Sequence, residues 1–117
     1  MAVTKNLLSG STHGRGILVT GTTTGASVLV HTAVASLTDF DDIFVYASNI
    51  SGAAVTLTLE YGAGTTAQFQ RKYSIPANSG AFLCVPGWVL RNSETIKAFA
   101  SSANVIILDG YDYEHRA

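Results

Sequence analysis

The sequence predicts an all-β fold: a single-domain β-sandwich or jelly roll of about eight or nine short antiparallel strands. Three observations carry this expectation. Apolar and polar residues alternate at period two in segments such as Ala54–Tyr61, where Val55, Leu57, Leu59 and Tyr61 would line one face and Thr56, Thr58 and Glu60 the other. Turn-forming residues recur at short spacing between apolar stretches. No segment sustains the 3.6-residue periodicity of an amphipathic helix.

In chain order, residues 1–16 are polar and carry Gly10, Gly14 and Gly16, so they read as an N-terminal arm or irregular lead-in. The sandwich domain is expected over residues 17–111, with a C-terminal tail over 112–117. Ile17–Thr20 and Ser27–Thr32 are strand candidates joined by a hairpin-like loop, Gly21-Thr22-Thr23-Thr24-Gly25. The stretch Ala33–Asp42 fits a helical turn or a long crossover loop. Ile43–Asn49 and Ala54–Tyr61 flank a tight-turn signal, Ser51-Gly52. Gly62–Thr66 is a loop leading into Gln68–Ser74, and Pro76–Gly80 breaks the chain before Ala81–Val85. Pro86-Gly87 reads as a turn before Trp88–Leu90, and Asn92-Ser93 precedes Thr95–Ala100. Asn104–Tyr111 completes the series.

Composition narrows the function. Only 13% of the 117 residues are Asp, Glu, Lys or Arg, about half the usual share for a soluble domain. A β-domain with so little charge on its outer faces associates with its neighbours unless something covers it. The reading is therefore a subunit that works assembled. A formal net charge of −1 supplies no field to hold nucleic acid. No apolar run reaches the roughly 18 residues of a membrane helix, and the start, Ala2-Val3-Thr4-Lys5-Asn6, has no apolar signal region. Synthesis in a cytoplasm, with the product soluble there until it assembles, is expected. The single cysteine, Cys84, lies in an apolar run and reads as a core residue.

Chemistry-bearing constellations are sparse. His13, His31 and His115 fall in the arm, a strand and the tail, without metal-ligand spacing. No Gly-x-Ser-x-Gly elbow occurs, and the glycine-rich run Gly10–Gly16 lacks the Gly-Lys-Ser/Thr ending and following helix of a phosphate loop. Asp39, Asp41 and Asp42 lack the glycine and distal glutamate of a calcium loop, and read as a solvated loop or as partners for Arg71, Lys72 or Arg91 across a subunit contact. Asp109, Asp112 and Glu114 form a second acidic group. No enzyme, cofactor or metal is expected. The aromatics, Trp88 foremost, fit core or interface better than a sugar platform.

Several stretches resemble small virion proteins of tailed bacteriophages, of the capsid decoration or cement type. The matching text is Lys5–Gly10, His31–Val34, Phe40–Asn49, Tyr73–Gly80, Val85–Asn92 and Ile96–Tyr111. The chain departs from the family after Gly110-Tyr111, where Asp112–Ala117 replaces a Val-Asn-Arg-like ending. The resemblance implies a β-sandwich subunit on the outer surface of a phage capsid, as a homotrimer, with itself and the major capsid protein as partners. The residues expected at those interfaces are Lys5, Leu7, Leu8, His13, Arg15, Trp88, Arg91, Tyr111, Tyr113, His115 and Arg116. Two other readings are a tail, fibre or head-spike subunit and a carbohydrate-binding sandwich.

Overall fold

A computed structural model of the chain describes residues 2–62 and 70–117. They form two antiparallel sheets packed face to face. The first holds β1 (Ala2–Leu7), β9 (Ile106–Arg116), β4 (Phe40–Asn49) and β7 (Ser79–Leu90) in that order, with β2 (Ile17–Leu18) also pairing β9. The second holds β3 (Val28–Thr32), β8 (Thr95–Ala100), β5 (Val55–Tyr61) and β6 (Gln70–Ile75). From β2 onward every connection crosses between the sheets except β5 to β6. That strand order is a jelly roll, as the spacing of short strands predicts. No helix among the described residues is long and apolar enough to cross a membrane.

Several connections differ from their expectation for one reason: a turn signal marks a change of direction but not the sheet to which the next strand belongs. Residues 21–25 do not close a hairpin, because β2 pairs β9 and β3 pairs β8; a 3₁₀ turn at Thr24–Ala26 carries the chain across. Ser51-Gly52 likewise joins strands of different sheets. Ala33–Asp39 is the crossover loop, without a helix, and Phe40–Asp42 already belong to β4. Pro86-Gly87 lies inside one long strand, β7, where the register against β4 shifts between Ile43 and Phe44. β7 is an edge strand, so proline's missing N–H is tolerated there, and Gly87 (φ +97°) takes up the bulge. The polar lead-in is irregular only over residues 8–16; Ala2–Leu7 form edge strand β1, paired from Ala2↔Arg116 to Leu7↔Tyr111. The expected tail 112–117 is likewise the second half of β9 up to Arg116. The expected loop over 63–66 and the start of the next strand lie outside the described residues.

The core sits where the inward residues of both sheets meet. β4 alternates without a break, sending Asp41, Ile43, Val45, Ala47 and Asn49 inward. They face Leu57 and Leu59 of β5, Ile75 of β6, and Ile96, Ala98 and Ala100 of β8. Leu57 is fully buried, so Leu57→Ala is expected to cost about 2–5 kcal/mol in urea unfolding, through lost transfer energy plus the cavity left behind. Cys84 is also buried, its Sγ 3.3 Å from the Val45 carbonyl. Burial pushes its thiol up to about 12, so the native protein at mildly alkaline pH is expected to resist a thiol reagent that reacts at once after denaturation.

Candidate functional site

The outward face of the β1-β9-β4-β7 sheet is the unusual surface of this molecule. β4 presents Phe40, Phe44 and Tyr46 outward, and the register places Tyr111 opposite Phe44 and His115 opposite Phe40 on β9. Phe40 stacks on His115 at 4.5 Å and Phe44 on Tyr111 at 5.2 Å. Tyr113 meets Tyr111 edge-on at 5.5 Å. Lys5 of β1 lies over the Tyr111 ring at 4.4 Å, a cation held against a π face. Around this aromatic strip the same face exposes Val3 (54%), Leu7 (55%), Leu83 (43%) and Val89 (52%).

The opposite outer surface differs. There the register pairs Thr56 with Ser74, Thr58 with Lys72 and Glu60 with Lys97. Thr58 and Glu60 are themselves covered: Thr24 and Gln70 both donate to the Glu60 carboxylate. The threonine face of β5 is thus not the association-prone surface that its low charge suggested. Among the described residues, Leu29, opposite Lys97, and Phe99, opposite Thr58, are the apolar residues on this side; the larger set of exposed apolar side chains belongs to the other sheet.

The expected interface residues scatter with respect to this face. Lys5, Leu7, Tyr111, Tyr113 and His115 share it. Leu8 does not: it is 1% exposed, a core side chain. There the chain leaves β1 and turns in, and Gly10 N–H bonds the Val30 carbonyl. His13 and Arg15 are exposed in the turn that follows, His13 at φ +55° and Arg15 Nε donating to the Thr12 carbonyl. Arg91 is bound to the Leu37 carbonyl at 2.6 Å, and Arg116 pairs with Glu114. Trp88 lies on the edge strand beside Tyr61, with the Arg71 guanidinium 5.5 Å from its ring.

Beneath one end of the face is a buried polar cluster. His31, Asp41 and Asp112 are 4%, 2% and 1% exposed. Asp41 and Asp112 come from adjacent strands, on the inward face of each, and His31 comes from β3 of the facing sheet. Ser9 N–H donates to His31 Nδ1 at 2.9 Å, so Nδ1 offers a lone pair and Nε2 carries the hydrogen. That Nε2–H donates to Asp41 Oδ2 at 2.8 Å, and Val34 N–H adds a second donor at 3.2 Å. His31 is therefore a doubly bonded core residue, and Asp41 and Asp112 are not part of a solvated loop. The three side chains could bring ligand atoms within 4.8 Å of one another. A cation nevertheless fits poorly, because a metal on Nε2 would require a hydrogen on Nδ1, where Ser9 already donates.

Burial, then the facing Asp41, pushes the Asp112 carboxyl up to about 7. The folded protein holds a proton that the unfolded chain releases above the ordinary value of 3.8. Stability is therefore expected to fall as pH rises from about 4 to about 7 and then level off. Asp112→Asn, whose amide can donate as the protonated acid does, should flatten that slope and gain on the order of 2–4 kcal/mol at pH about 8. Urea midpoints across pH measure it.

Neither the aromatic strip nor the buried cluster was located by sequence reasoning. The available signal was in Phe40–Asn49, where both parities are apolar: Ile43, Val45 and Ala47 on one, Phe40, Phe44 and Tyr46 on the other. An antiparallel strand with one wet face does not need that. No family model, no curated protein and no solved structure matches the chain.

Proposed function

We propose that this chain is a non-enzymatic structural subunit of a tailed-phage virion, seated on the outer surface of the capsid as a homotrimer, with the aromatic face of its five-stranded sheet covered by protein. The observation that carries the reading is that face: stacked rings and four exposed aliphatic side chains on one side of the five-stranded sheet. Interface cores are enriched in aromatics and depleted of Lys, Glu and Asp. Four strands at ~4.8 Å spacing and about ten residues at ~3.4 Å give roughly 600 Å². That approaches one partner's share of a standard interface, ~800 Å². The stretches that resemble decoration proteins supply the choice of partner, and repetition on a lattice would turn modest contacts into shell stability.

The test is co-sedimentation of the purified chain with heads of its own phage, before and after expansion. Saturable binding to expanded heads at a fixed ratio to the capsid protein supports the reading; no binding to either form removes it. Labelling that falls on tails or fibres instead would favour the tail-subunit reading. A glycan-array signal lost on replacing Tyr111 would favour a sugar-binding sandwich, the reading that exposed rings also suit.

A further inference from the structure

The buried cluster has no evident part in packing the core and leaves polar atoms without partners. Asp41 Oδ1 and both oxygens of Asp112 are buried and accept no hydrogen bond from the described residues. Leaving such groups unmatched is costly, and two ionised carboxylates side by side cost more. The groups that face the pair do not relieve it. β3 contributes His31, whose Nε2 is 2.8 Å from Asp41 and 3.9 Å from Asp112. Its Nδ1 accepts the Ser9 N–H and its Nε2–H goes to Asp41, so the ring has no further N–H to offer Asp112. On β9, Glu114 adds a further negative charge. β1 places uncharged Asn6 opposite Asp112, and β7 places Leu90 opposite Asp41. The nearby cations Arg91 and Arg116 are bound to the Leu37 carbonyl and to Glu114.

We propose that Asp41 and Asp112 share one buried proton, and that its release to solvent unlatches the Ser9–Ser11 turn from β3. With the proton present, one carboxyl donates to the other and a single negative charge rests on the His31 and Val34 donors. When it leaves, a second charge appears where no cation can reach. It is relieved by admitting water, which opens the segment that covers it. This segment yields before the strands do. β4 and β9 are bonded on both sides, whereas residues 9–10 are tied to β3 by four bonds: Ser9 N–H and Ser9 Oγ each to His31 Nδ1, Gly10 N–H to Val30, and Thr32 N–H to Ser9 Oγ. The device belongs to the isolated chain and stands whether or not the aromatic face meets a capsid.

Amide hydrogen exchange of the full chain at pH about 5.5 and about 8.5, corrected for intrinsic rates, tests it. Protection at Ser9 and Gly10 is expected to fall at least about tenfold more than at Leu57 and Ala98. In Asp112→Asn that extra loss should vanish. Equal changes at all four amides, or an undiminished extra loss in the variant, would overturn the proposal. A second measurement needs no variant: ¹³C NMR titration of the aspartate carboxyls in the native chain. One carboxyl titrating far above the others, near 7, is the expected result; every aspartate titrating in the ordinary acid range contradicts it.

Discussion

The double variant Leu7→Lys/Val89→Lys is expected to remain folded and to lose association with itself or with capsids by roughly a thousandfold. Both residues are more than half exposed on the outward face of the five-stranded sheet, one on each edge strand, so neither substitution disturbs the core. In the free subunit lysine at these positions is solvated. In an assembly that covers the face, each ammonium must be desolvated without a partner. A loss of ~2 kcal/mol at each site, typical of an interface anchor, sums to roughly 4 kcal/mol. A pair of charge changes on the opposite face, Thr56→Glu/Lys97→Glu, should leave association within about threefold. Sedimentation velocity with unchanged melting temperature separates an interface effect from a folding effect.

Gly110→Ala is expected to be strongly destabilising although it adds only one methyl group. Gly110 lies on the inward parity of β9 between Leu108 and Asp112, opposite Val45 of β4. A Cβ there would collide with the carbonyl of Phe44, and Val45 Cα lies only 3.1 Å away. The obstacle is backbone, so no side-chain rotation relieves it. Either β9 shifts away from β4 or the Phe44 peptide turns, and both damage a central ladder running from Phe40↔His115 to Asn49↔Ile106. The cost is roughly 3 kcal/mol, or a fall of roughly 10–20 °C in melting temperature. Gly25→Ala, with nothing within 4 Å of the added carbon, serves as the control and should leave the melting temperature unchanged to within about 2 °C.

How much of this was legible in the residues depended on which physical signal was local. Period-two alternation is local, so the strands around Ile43–Asn49 and Val55–Tyr61 could be read directly, as could the inward set Val55, Leu57 and Leu59. Sheet membership is not local. Gly21–Gly25 and Ser51-Gly52 look like hairpin turns, yet each carries the chain across the sandwich, because a turn's chemistry does not encode the partner of the next strand. β1 was missed for a related reason. Its outward residues Val3, Lys5 and Leu7 alternate with Ala2, Thr4 and Asn6, but an edge strand held by one neighbour needs no apolar run. The cluster of His31, Asp41 and Asp112 spans residues far apart in the chain, and only the folded register shows that Asp41 and Asp112 point inward together. The aromatic face was the most readable of the missed features, since two apolar parities in Phe40–Asn49 already implied an apolar outward side on β4.

The central claim is that the aromatic face of the five-stranded sheet is made to be covered by other protein. Light-scattering mass of the purified wild-type chain over a wide concentration range, alone and with expanded heads of the phage proposed to carry it, tests that claim most directly. The account predicts three chains per particle, saturable attachment to heads, and loss of both in Leu7→Lys/Val89→Lys. A 12.3 kDa particle at every concentration, with no head-bound fraction, would contradict it.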